Sequence, residues 1–285
     1  MRFFTRSWFV FIATSVFTTA CSSSEEPTPA SQALPEHLTL GNPSGATTDP
    51  AQPTNYLLSK PQYALSYHRD RGIPNWVSWH LDASWRGSAA RQDDFRADAT
   101  LPAGWYQVQA SSYTGSGFDR GHNCPSADRT RTEADNSATF LMTNMMPQAP
   151  RNNQQTWANL EDYSRSLLDN GQELYIICGS YGKGGSGSNG GVTQTIDNGR
   201  VTVPARCWKV VVILPVGDND ASRVSTSTRV IAVDTPNDNG INTNWGQYRV
   251  SVDAIEASTG LDLLSVVPTT VQQVLEARID NGPTT

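Results

Sequence analysis

Apolar and polar residues alternate in two short runs, Tyr63-Ala64-Leu65-Ser66-Tyr67 and Trp76-Val77-Ser78-Trp79-His80-Leu81. The turn-forming segment Arg71-Gly72-Ile73-Pro74-Asn75 separates them, which predicts a β-hairpin. Further strands are predicted at Ala138 to Thr143, Leu174 to Cys178, Gly199 to Pro204, Cys207 to Leu214 and Thr228 to Val233. Helical spacing of apolar residues predicts helices over Asn153 to Leu168, Val250 to Thr259 and Val271 to Arg278. Strands outnumber helices and the helices fall between them irregularly. The pattern therefore points to an α+β fold, with a mostly antiparallel central sheet flanked by helices, rather than to regular βαβ winding. Gly179 to Gly191 is glycine-rich but lacks a GxxxxGK[ST] phosphate loop, and reads as a mobile hairpin tip.

The N-terminal end follows a different pattern. Arg2 and Arg6 precede the apolar stretch Trp8-Phe9-Val10-Phe11-Ile12-Ala13, and small residues Thr18-Thr19-Ala20 precede Cys21. This is the layout of a signal peptide over residues 1–20, with an apolar run too short to span a bilayer. Cleavage before Cys21 fits an ordinary secretory protein or a lipoprotein acylated on Cys21, so the expected location is periplasmic, extracellular or lipid-anchored. Residues 21–55 are rich in Ser, Thr, Pro and Ala and are expected to form a flexible tether. One catalytic-size domain is expected over 56–285.

Without the first twenty residues, 19 basic residues face 27 acidic ones, a net charge of about −8. That balance argues against tight static binding to a polyanion. Of the 21 basic residues all but Lys60, Lys183 and Lys209 are arginine, the side chain suited to bidentate phosphate contact. Cys178 and Cys207 end and open two predicted strands that are expected to pair, which predicts a disulfide between them in an oxidising compartment. Cys124 is then a leftover, buried thiol.

Among the four histidines, His37 falls in the predicted tether and His68 and His80 in strand patterns, where structural roles are the default. His122 differs, because Asp119, Arg120, Gly121 and Asn123 surround it with charge and backbone freedom. An imidazole there has the basicity of a general base, though a surface turn explains four such residues as well. A second cluster, Asn153, Trp157, Glu161 and Arg165, recurs every four residues along one helix face. It reads either as a solvated stripe or as an amide and a carboxylate offered to a hard cation beside an arginine.

Taken together, Phe118-Asp119-Arg120-Gly121-His122, Pro125-Ser126-Ala127-Asp128-Arg129, Thr143-Asn144-Met145-Met146-Pro147-Gln148 and Asn153-x3-Trp157-x2-Leu160-Glu161 resemble the DNA/RNA non-specific endonucleases. These belong to the ββα-metal, or His-Me finger, class, and the resemblance is strongest to the secreted cyanobacterial sugar-non-specific nucleases. It runs from about Tyr56 to Asn281. The resemblance implies His122 as general base, Asn153 as the direct ligand of Mg²⁺ (or Mn²⁺), and Glu161 as a glutamate holding that ion through water. It also implies Arg91, Arg120 and Arg165 as phosphate-side arginines, Asn144 as a supporting amide, and Asp119 as the carboxylate that orients the site. The implied substrates are DNA and RNA, cut to 5′-phosphorylated fragments. Asn123-Cys124, directly after the histidine, departs from the small or apolar residues expected there. Two rival readings remain: a catalytically silent, tethered nucleic-acid-binding module, and a metal phosphodiesterase acting on small substrates.

Overall fold

The computed structural model describes Met1, Phe3 and residues 36–285. The expected signal peptide and the acylation of Cys21 concern residues outside this set. In chain order the strands are β1 (Tyr56–Ser59), β2 (Ala64–His68), β3 (Ile73–Leu81), β4 (Asp119–His122), β5 (Met145–Gln148) and β6 (Gln172–Tyr181). They continue with β7 (Thr195–Ile196), β8 (Val201–Thr202), β9 (Arg206–Pro215), β10 (Arg229–Pro236) and β11 (Arg249–Val250). The helices are α1 (Glu133–Ala138), α2 (Ala158–Leu168), α3 (Asp220–Arg223), α4 (Val252–Thr259) and α5 (Thr269–Leu275).

Seven strands form one sheet in the order β1-β2-β3-β6-β9-β10-β11, every neighbouring pair antiparallel. The predicted hairpin is β2 and β3. The two long central strands β6 and β9 read as nearly continuous apolar runs because both of their faces are covered. Val77, Trp79, Ile176, Cys178 and Val211 face a core shared with Trp157 and Leu160 of the α2 region. Trp76, Ile177, Trp208, Val210 and Val212 face the opposite core, shared with Val252 and Ile255 of α4 and Leu275 of α5. Leu38, Leu40 and Ala46 also belong to that second core.

The position of Leu38, Leu40 and Ala46 corrects the predicted tether, since residues 36–55 pack onto the domain. His37 is buried, with Nε2 at 2.8 Å from the Pro61 carbonyl and Nδ1 accepting from the His80 backbone N–H at 3.2 Å. Polar composition concealed the few apolar residues that anchor the segment.

Three further expectations change. Ala138 to Thr143 is no strand: α1 ends at Ala138 and a 3₁₀ turn follows over Met142–Asn144. Gly199 to Pro204 contributes only β8. The glycine-rich segment is docked rather than free, with the Ser188 N–H donating to the Gly117 carbonyl at 2.9 Å. A Cβ on Gly187 would fall 2.4 Å from that carbonyl oxygen, so the contact requires glycine.

The predicted Cys178–Cys207 disulfide is also absent, and Cys124, Cys178 and Cys207 are free, buried thiols. β6 and β9 do pair, but Cys178 lies opposite Lys209 and Cys207 opposite Ser180. The two cysteines share a face while offset by two residues, and such diagonal neighbours sit roughly 7–8 Å apart, beyond ordinary disulfide reach. Cys178 Sγ instead donates to Asn123 Oδ1 at 3.4 Å.

Candidate active site

β4 and β5 form a separate two-stranded antiparallel ribbon, pairing Asp119 with Gln148 and His122 with Met145. The chain then enters a π-helical turn, Asn152–Trp157, that runs directly into α2. Strand, strand and helix together make the expected ββα motif. Strand alternation sends Asp119 to one face of the ribbon and Arg120 with His122 to the other. Gly121 is dictated by close approach, since a Cβ there would lie 2.3 Å from Gln148 Oε1 and 2.6 Å from Gln148 Cβ.

His122 is wedged between aromatic rings, edge-on to Phe95 at 5.5 Å and to Phe140 at 4.9 Å. Its Nε2 is buried and has no partner among the described residues. Burial, then the nearby positive charges of Arg91 and Arg120, push its pKa down to about 3, so the ring is neutral at physiological pH. The arginine guanidiniums are themselves seated on the same aromatics. Arg120 lies 4.0 Å above Phe95 and Arg91 lies 4.9 Å from the Phe140 centroid. Arg91 is further steadied by Asp93 at 2.7 Å and the Ser126 hydroxyl at 2.8 Å.

Asn144, fully buried, uses its whole amide to hold the segment after the histidine. Oδ1 accepts from the Cys124 N–H at 3.0 Å, and Nδ2 donates to the carbonyls of Cys124 and Thr139 at 2.9 and 2.8 Å. Its own carbonyl accepts from Asn123 Nδ2 at 3.0 Å. The departure at Asn123-Cys124 is therefore accommodated: the amide pairs with Asn144 and the thiol fills the core.

On the other face of the ribbon, Asp119 Oδ2 accepts from Asn153 Nδ2 at 2.9 Å and from Gln154 Nε2 at 2.8 Å. This fixes the Asn153 amide with Oδ1 unengaged among the described residues. Arg91, Asp119, Arg120 and Asn153, together with Asp93 and Gln154, line one open cleft of about 370 Å³. A π turn carries more residues per turn than an α-helix and commonly marks functional sites. Here it offsets the drift of the four-residue ladder and keeps Asn153 roughly in line with Glu161.

Glu161 and Arg165, however, do not line the cleft. Glu161 Oε1 accepts from the buried Lys209 Nζ at 2.9 Å, and burial raises its pKa despite that cation. Lys209 in turn sits 4.3 Å from the Trp157 ring centroid. Arg165 donates to Asp128 Oδ1 at 2.9 Å and to Asp162, while the Trp79 indole donates to Asp128 Oδ2 at 2.9 Å. These charges tie α2 to the sheet.

Several supporting residues escaped the sequence reading. Phe95, Phe140 and Gln154 carry no pattern of their own. Lys209 did carry one, being the single charge inside the apolar run Cys207 to Leu214. Asn237 pins the end of β5, with Oδ1 accepting from the Ala149 N–H at 2.7 Å and Nδ2 donating to the Pro147 carbonyl at 2.9 Å.

The chain is similar to known nucleases. A nuclease of Nostoc sp. is 52% identical over 254 residues, spanning 89% of each chain. Mitochondrial endonuclease G of Homo sapiens is 32% identical over 211 residues, 72% of this chain and 68% of that one. Among solved structures, endonuclease G in its complex with the inhibitor EndoGI matches with a TM-score of 0.66 at 23% identity, covering 85% of this chain and 95% of the other. The profile of the DNA/RNA non-specific endonucleases matches residues 40–270, and the chain belongs to that family.

Proposed function

We propose that this enzyme hydrolyses DNA and RNA to 5′-phosphorylated fragments with His122 as general base and a single Mg²⁺ or Mn²⁺ held by Asn153. The observation that carries the reading is that Arg91, Arg120 and the oriented Asn153 amide line one cleft, while the neutral imidazole of His122 rests on Phe95 and Phe140, the same two rings that seat the arginines. The donor set fits the ion. Asn153 offers an oxygen beside the Asp119 carboxylate in an open, polar site, and a hard cation that keeps several waters needs few protein oxygens. When bound, the cation supplies charge neutralisation on the phosphate and the leaving 3′ oxygen.

Arg91 and Arg120 bind and orient the scissile phosphate, their planes held by Phe140 and Phe95. His122, neutral at physiological pH, takes the proton of the attacking water. Asn144 is a positioning residue that fixes the backbone behind His122. Asp119 orients the Asn153 amide rather than accepting a proton. Contacts confined to phosphates carry no base information, which accounts for cleavage of both polymers. Because water is the nucleophile, no 2′-hydroxyl is needed. We assign Glu161 and Arg165 to anchoring α2, with Glu161 reaching the ion only through water. The arginine-led apolar segment before Cys21 supports action outside the cytoplasm, with attachment through Cys21 as the envelope-bound form.

The test is incubation of the protein with supercoiled plasmid and with RNA, with and without Mg²⁺ or Mn²⁺, beside His122→Ala. The expected result is loss of both polymers only with metal, with kcat lowered by roughly 10² to 10⁴ in the variant. Near-normal cleavage by His122→Ala would remove the base from His122. Intact polymers with the folded wild type would favour a silent binding module or a small-substrate enzyme.

A further inference from the structure

α4 and α5 pack on the face of the sheet opposite α2, and their ends bring three acids together. Asp253 lies in the first turn of α4, Glu256 one turn later, and Glu276 caps the C-terminus of α5. One oxygen from each lies within 4.8 Å of those of the other two. Oxygens bound to one Ca²⁺ at 2.3–2.6 Å are separated by at most about 4.6–5.2 Å, so all three fit a single coordination sphere.

Acidic clusters are common without an ion, but Glu276 separates this one from a surface coincidence. Its side chain is buried, the residue being 6% exposed, and its Oε1 has no partner among the described residues. The charged groups acting on it are Glu256, Asp253 and Asp262, all acidic. A buried carboxylate in such company requires a counter-charge or a proton. The neighbours are already arranged: Glu256 Oε1 accepts from the Leu263 N–H at 2.7 Å, and the Asp253 N–H donates to the Glu276 carbonyl at 3.1 Å. The other acidic grouping, His80 with Asp82 and Glu173, lacks this feature. Both nitrogens of its imidazole are engaged, by Glu36 at 2.8 Å and Glu173 at 3.0 Å.

We propose that Asp253, Glu256 and Glu276 form a structural Ca²⁺ site, separate from the catalytic cleft, that clasps α4 to α5. Three carboxylates in an irregular cluster, with the exposed Asp253 leaving room for water, suit Ca²⁺ better than the strict octahedron of Mg²⁺.

The experiment uses metal-stripped Asn153→Ala protein, which lacks the proposed active-site ligand, and follows CaCl₂ by titration calorimetry and thermal unfolding. The expected result is one saturable site and a Tm rise of about 3–6 °C at a Ca²⁺ concentration tenfold above Kd. Asp253→Asn and Glu276→Gln should each abolish the response, and Asp253, being exposed, can be changed without risk to folding. In an otherwise wild-type chain, Asp253→Asn should cleave plasmid at the normal rate. Absence of saturable heat and of a Tm rise up to about 10 mM Ca²⁺ would overturn the proposal. So would a full response in both variants, or an equal shift with Mg²⁺.

Discussion

Replacing Lys209 by methionine tests whether the Glu161 side of α2 is held by charge. The Lys209 side chain is 1% exposed and its Nζ lies 2.9 Å from Oε1 of Glu161, whose side chain is 14% exposed, so solvent screens neither partner well. The methionine fills much the same space and keeps contact with Trp157, so the loss is the cation alone. Removing one member of a buried pair leaves the other uncompensated and costs about 3–5 kcal/mol. For a domain of this size that corresponds to a Tm fall of roughly 6–20 °C. The pH dependence has a definite sign. Burial already raises the Glu161 pKa, so the folded state favours the protonated acid, and any penalty from its charge grows as pH rises through that pKa. The deficit of Lys209→Met should therefore be larger at pH 8 than at pH 5. Adding Glu161→Leu removes the stranded charge and should return most of the lost Tm, while activity stays low if Glu161 assists the ion through water. Differential scanning calorimetry of the three proteins at both pH values reads all of this. A Tm for Lys209→Met within about 2 °C of wild type would refute the reasoning.

Asn153→Ala should raise the Mg²⁺ or Mn²⁺ concentration needed for half-maximal cleavage; an unchanged metal titration would remove Asn153 as the ligand. Alkylation of the unfolded, unreduced domain should modify Cys124, Cys178 and Cys207 alike. Peptides of Cys178 and Cys207 recovered linked would show that the strands slip into a different register. His37, whose Nδ1 must stay unprotonated to accept from the His80 N–H, has its pKa lowered by burial to about 4. Because the unfolded chain takes that proton near the ordinary pKa of about 6.5, the contribution of His37 is present above that pH and lost as pH falls toward 4. The fall in Tm from pH 7 to pH 4.5 should be smaller in His37→Asn, and equal falls would deny His37 this role.

Which parts of the molecule were legible in sequence follows from how local each signal is. The β2–β3 hairpin, β6, β9 and α4 announce themselves because alternation, apolar runs and helical spacing are properties of consecutive residues. The ββα motif was legible only through the family resemblance carried by Asp119 to His122 and Asn153, because the charge, glycine and amide there fit a surface turn and a solvated helix stripe as well. What stayed hidden depends on partners distant in the chain. Leu38 and Leu40 look like stray residues in a polar tether until the sheet face that receives them exists. Pairing of β6 with β9 was foreseeable, but the register that offsets Cys178 from Cys207 is set by the whole sheet, and a two-residue offset preserves the face while abolishing the bond.

Glu161 and Arg165 carry the same lesson into the site. Four-residue spacing places both on the face of α2 below Asn153, and spacing alone cannot distinguish a side chain that reaches the cleft from one that stops at the sheet. Lys209 and Asp128, supplied by β9 and by the turn after β4, take up both charges. A motif read as one functional ladder thus divides into an upper rung that lines the cleft and lower rungs that fix its height. Stability and catalysis are expected to separate at that division: Asn153→Ala should alter metal demand with little change in Tm, and Lys209→Met should do the reverse first.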